Sequence, residues 1–172
     1  MSVGALDLTV VVRLTLRPTL TPRSAPLNDD DFLAAFADAR LGPAEFDHRG
    51  HLRAAWLLLR RHPLPEAIAH TCAGIRRLAA QLGAPDKYHH TVTEALVRLI
   101  AAADAAQPAP YFTDFLHQHP ALVDDARAVL ARHYSAERLA DPAARGHWLA
   151  PDRLPLPVPP ARTPTDETAA SH

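Results

Sequence analysis

The chain has 172 residues, 48% of them hydrophobic, and its 18 basic and 19 acidic side chains leave a net charge of -1 with histidines neutral. That length supports one buried core, and the balanced charge lacks the electrostatic footprint that draws nucleic acid or an anionic membrane surface. The single cysteine, Cys72, excludes an internal disulfide framework and a cysteine-rich zinc site and fits a reducing cytoplasm, whereas 11 histidines are an unusual abundance.

Residues 1–27 lack helical periodicity and read as a poorly ordered extension, apart from an alternating piece over 8–14 that would form a strand only with a partner. Asp7 and Arg13 interrupt the apolar run over 3–16, which fits neither a signal peptide nor a membrane span. Order is expected to begin at Asn28, an N-cap followed by Asp29, Asp30 and Asp31, whose charges suit the positive end of a helix carrying Phe32, Ala35, Phe36 and Ala39. Gly42 and Pro43 stop it.

A second helix starts at the cap Asp47 and runs to about Arg61, with Leu52, Ala55, Trp56 and Leu59 as its apolar stripe. The third has Pro65 in its first turn and Ile68, Cys72, Ile75, Ala79 and Leu82 along one face, ending at Gly83 and Pro85. The fourth starts near Tyr88 and passes through Val92, Leu96, Leu99 and Ile100, with His89 on its inward face and Pro108 beyond its end. Shorter helices are expected near Thr113 to Gln118, as one run from Pro120 to Tyr134, and around Ala136 to Leu139, before an extended Leu154-Pro155-Leu156-Pro157. The fold class is therefore all-α, a single-domain helical bundle over 28–157 with disordered N- and C-terminal extensions, 1–27 and 158–172.

The chemistry concentrates at the start of the second helix. His48 and His51 are three apart, a spacing that sets both on one side of a helix, and antiparallel packing of the second and fourth helices would bring His89 to them. Three imidazoles with an open fourth position suit a catalytic site for a divalent metal ion, and zinc, iron(II), manganese and nickel are not distinguished by the residues. A His on an apolar helix face is more commonly a satisfied core residue, so the triple is what gives the pattern weight. Glu45, Tyr88 and Thr93 are the catalytic candidates beside it, with Asp47, His90, Glu94 and Thr91 as further groups, although capping better explains Asp47. Cys72 reads as a buried hydrophobe rather than a nucleophile. No Gly-rich phosphate loop, Gly-x-Ser-x-Gly elbow or His-Glu-x-x-His helix is present.

Three ordered motifs resemble an uncharacterised family of small helical bacterial proteins. They are Phe-x-His-x-x-His-Leu-x-x-Ala-Trp over 46–56, Tyr-His-x-Thr-x-Thr over 88–93 and Pro-Asp-x-x-Pro-Leu-Pro over 151–157, and the likeness spans about 30–157. The resemblance implies a helical fold and directs attention to the histidines, and it supplies no reaction. The resemblance implies a frequent glutamate where this chain has His90, so that any carboxylate role at that position is altered here or taken over by another group.

Together these features point to a metal-dependent hydrolase or lyase, acting on a small polar metabolite in the cytoplasm by hydrolysis, hydration or dehydration, including cyclisation. The alternatives are a non-catalytic metal- or ligand-binding helical module and an interaction protein whose histidines are structural.

Overall fold

The computed structural model describes residues 27–159. Among them the regular structure is helical throughout, in the order α1 (Asp29–Ala37), α2 (His48–Arg61), α3 (Leu64–Gln81), a 3-10 turn (Pro85–Lys87), α4 (His90–Ala106), α5 (Phe112–Gln118), α6 (Pro120–Asp124), α7 (Ala126–Ala131), α8 (Ala136–Ala140) and α9 (Pro142–Gly146). The all-α bundle is thus the observed architecture. No helix among the described residues is long and apolar enough to cross a membrane. The alternating piece over 8–14 and most of both extensions lie outside the described residues.

Local chemistry sets the helix starts. The Asn28 side chain accepts from the Asp31 N–H to begin α1, and Asp47 accepts from the Gly50 N–H to begin α2. Pro65 sits in the first turn of α3, and Gly83, at a φ of 67°, makes the turn that follows its end.

The core forms around α2, α3 and α4, which pack on one another. α2 is the central member: Leu52, Ala54, Ala55, Trp56, Leu57, Leu58 and Leu59 are all buried, a wider apolar surface than the expected single stripe. A helix covered this way has neighbours on most sides, here α1, α3, α4 and α6. Close approach of α1 to α3 depends on Gly74, where a methyl group would collide with the Phe36 ring.

The direction of the long helices differs from expectation. Short links reverse the chain between α2 and α3 and again between α3 and α4, so α2 and α4 run parallel, with α3 opposed to both. Their starts share one end of the bundle, and at the other end the Trp56 Nε1–H donates to Asp104 at 3.0 Å while Arg60 donates to the Ala109 carbonyl.

Two smaller differences also have local causes. The single run expected from Pro120 to Tyr134 is divided at Asp125, whose carboxylate accepts from the Ala128 N–H and starts α7 as a separate helix. α9 was not anticipated, although Asp141 followed by Pro142 is a helix start, and Asp141 does accept from the Ala143 N–H. Beyond it the chain returns as an extended segment. The Arg153 N–H donates to the His133 carbonyl, His133 Nδ1–H donates to Leu154, and Asp152 takes bonds from the Ser135 backbone and hydroxyl.

Candidate functional site

Because α2 and α4 start at the same end and α3 finishes there, three helix termini frame a cavity of about 140 Å³. Its apolar wall includes Pro43, Phe46, Ile75, Leu78, Leu82 and Ala84, and its polar members are Asp47, His51, Lys87, Tyr88, His89 and Thr93. Four of the six candidates from the sequence, His51, Tyr88, His89 and Thr93, therefore border one space, whereas His48 and Glu45 are not among its lining residues.

His51 is the most chemically suggestive of them. Its Nδ1–H donates to the Asp47 carbonyl at 2.7 Å, and the Phe46 ring lies across it with centroids 4.0 Å apart. That bond fixes the tautomer and leaves Nε2 as an acceptor. Burial lowers the His51 pKa from 6.5 to about 4 against the opposing pull of the Asp47 carbonyl, and the neighbouring His48 adds to the lowering. At neutral pH the site holds an uncharged imidazole with an available lone pair.

The other two imidazoles are engaged differently. His48 Nε2–H donates to the Leu122 carbonyl of α6 at 2.8 Å. His89 is the N-cap of α4 in an extended conformation, rather than a residue on its inward face. Its Nδ1 accepts from the Val92 N–H at 3.3 Å and its Nε2–H donates to the Leu139 carbonyl at 2.9 Å, so both nitrogens have backbone partners. Burial holds the His89 pKa below its ordinary value, partly offset by the Leu139 bond. Among the described residues no group of three or more His, Cys, Asp or Glu side chains is arranged to hold a metal ion.

Tyr88 begins a partly buried chain of polar contacts. Its hydroxyl donates to His90 Nδ1 at 2.8 Å, and His90 Nε2 faces the Glu94 carboxylate at 3.3 Å. Arg98 binds Glu94 at 2.7 Å, supplying the opposite charge that a carboxylate only 7% exposed requires. The His90–Glu94 contact follows from i,i+4 spacing on α4. Burial raises the Tyr88 phenol above its usual range, and the phenol stays protonated, with the Arg76 guanidinium over its ring. The Cys72 thiol lies against Tyr88 and is itself pushed up by burial, as suits a buried hydrophobe.

The remaining candidates have mostly structural partners. Glu45 is exposed and accepts from the Gly42 N–H at 3.1 Å, closing the turn before α2. Asp47 borders the cavity while capping α2. The Thr91 hydroxyl donates to the His147 carbonyl and accepts from the Leu149 N–H, so it anchors the C-terminal segment instead of serving the cavity. Thr93 is buried and borders the cavity.

Lys87 is the lining residue that the sequence motifs passed over. A signal was present, because it is the sole lysine among 18 basic residues. Compared with protein-family models, with curated proteins and with solved structures, the chain finds no match in any of the three.

Proposed function

We propose that the cavity is an active site and the protein an enzyme that hydrolyses, hydrates or dehydrates a small metabolite in the cytoplasm, with His51 as its proton acceptor. The observation that carries this reading is the open Nε2 of His51, neutral at pH 7 and oriented by the Asp47 carbonyl, on the wall of a largely apolar cavity. An imidazole held in one tautomer by a backbone acceptor is prepared for general base catalysis. Tyr88 offers a second route for a substrate proton. Its hydroxyl can take a substrate proton as its own proton passes to His90, and Glu94 stabilises the resulting imidazolium, so no free tyrosinate is required.

A divalent metal ion, whether zinc, iron(II), manganese or nickel, is the metal-dependent form of the proposal and would supply Lewis-acid chemistry at the open His51 nitrogen. Ligation by His48 and His89 as well requires them to release Leu122 and Leu139. The complete engagement of His89 favours a second reading, a non-catalytic module that binds a ligand at the same cavity.

The test is an NMR turnover screen of pooled small metabolites with untagged protein, before and after reconstitution with each metal, alongside elemental mass spectrometry. Conversion of a metabolite by the native chain, abolished in a His51→Gln variant with an unchanged melting temperature, is the expected result. Binding without conversion under every metal condition would overturn the enzyme reading in favour of the module. Near-stoichiometric metal lost in the folded His48→Ala, His51→Ala and His89→Ala variants selects the metal-dependent form.

A further inference from the structure

The cavity carries information about its ligand as well as its chemistry. At about 140 Å³ it is close in size to an engineered apolar cavity in another protein, about 150 Å³, that binds benzene. A single ring or a short branched chain fills such a space.

One lining charge is unmatched. Lys87 is partly buried in the 3-10 turn, its backbone N–H donates to the Ala84 carbonyl, and its ammonium makes no hydrogen bond or ion pair with another described residue. Asp47, also among the lining residues, accepts from the Gly50 N–H through one carboxylate oxygen. Nearby arginines have partners: Arg76 lies over Tyr88, and Arg145 donates to the Asp86 carbonyl. Every basic residue other than Lys87 is arginine, so the compact ammonium occurs only where the chain lines this cavity. Lys87 is the one lysine or arginine among the lining residues. An ammonium beside apolar lining residues is best matched by an anionic partner.

We propose that the cavity takes a small carboxylic acid with an apolar body, the body lying among Phe46, Ile75, Leu78 and Leu82 and the carboxylate on the Lys87 ammonium. This rests on the reading of the cavity as a ligand site and adds the ligand's class. His51 and Tyr88 then meet the uncharged part of the molecule, where proton transfer takes place.

The experiment titrates benzoate, benzamide and benzylamine separately into the isotope-labelled full chain at pH 7 and follows the backbone amides of Leu78, Ala84 and Tyr88. Benzoate is expected to bind at least ~10-fold more tightly than the other two, in line with a charge-assisted hydrogen bond. Lys87→Met should abolish that preference, and Lys87→Arg should retain most of it. Equal binding of the three probes, or a preference unchanged in Lys87→Met, would overturn the carboxylate assignment while leaving the cavity a ligand site. If no probe of any charge shifts those amides, the ligand-site reading falls and the carboxylate assignment with it.

Discussion

The two ends of the α2–α4 core are built from the same helices and reach opposite solutions. At the far end the indole of Trp56 is buried, its N–H is taken by Asp104, and Arg60 covers the ring at 4.6 Å while bonding the Ala109 carbonyl. The indole and the guanidinium have partners there, while the Gln118 Oε1 and His119 Nε2 atoms, at the end of α5 against Phe115, are buried without one among the described residues. At the near end an imidazole nitrogen and an ammonium are left open around a cavity. The contrast separates residues that hold the fold from residues available for chemistry, a distinction that residue type alone does not make.

The largest expected effect comes from breaking the far end. Trp56→Ala removes a 2%-exposed side chain and leaves Asp104 without its indole partner, and should cost about 3–5 kcal/mol in urea unfolding. A loss below about 1 kcal/mol would mean that this end is looser than its contacts imply.

The next effect sharpens the comparison through pH. His51 stays neutral in the folded chain down to about pH 4, whereas the unfolded chain binds that proton below about 6.5. The folded-state pKa is lowered, so the contribution leaves stability intact above pH 6.5 and removes it as pH falls toward 4, by up to about 3 kcal/mol and less where cavity water solvates the ring. Comparing unfolding at pH 7 and 4.5, His51→Gln should show a shallower decline than the native chain; identical declines would refute the buried-imidazole account.

The smallest effect concerns His89, which belongs partly to each category. His89→Ala removes the cap of α4 and the bond to Leu139, and should lower stability by about 1–2 kcal/mol at pH 7. His89→Asn, which retains a capping side chain, should recover part of it when both variants are unfolded in urea at that pH. Equal loss in both variants would show that the Leu139 bond, not the cap, is what His89 supplies.

Much of this was legible in the sequence. Asn28, Asp47, Pro65 and Gly83 announce where α1, α2 and α3 begin and end, because caps and breakers act within a few residues. The clustering of His51, Tyr88, His89 and Thr93 was legible in outline too, since their motifs mark the starts of two helices. The wrong part was the geometry between helices. Two successive short reversals make α2 and α4 parallel, and the expected antiparallel pairing overlooked the intervening helix. His89 was assigned to a helix face because histidine is a poor indicator of an N-cap compared with Ser, Asp or Asn. The separation of α6 from α7 turns on Asp125, a residue type equally common on an exposed helix surface. The fates of the individual imidazole nitrogens depend on carbonyls at Leu122 and Leu139, more than forty residues away from each ring, and no local pattern announces such partners.

The bonds from Thr91 to His147 and Leu149, and from His89 to Leu139, have a consequence for the order of events as the chain is made. α1 to α3 can pair as soon as they are synthesised, since their contacts join neighbouring elements. The start of α4 reaches its final position only after residues 139–149 have been added and folded back on it. The cavity is thus completed late in biogenesis, and a nascent chain cut short of that segment retains every motif histidine and lacks the Leu139 carbonyl that holds His89.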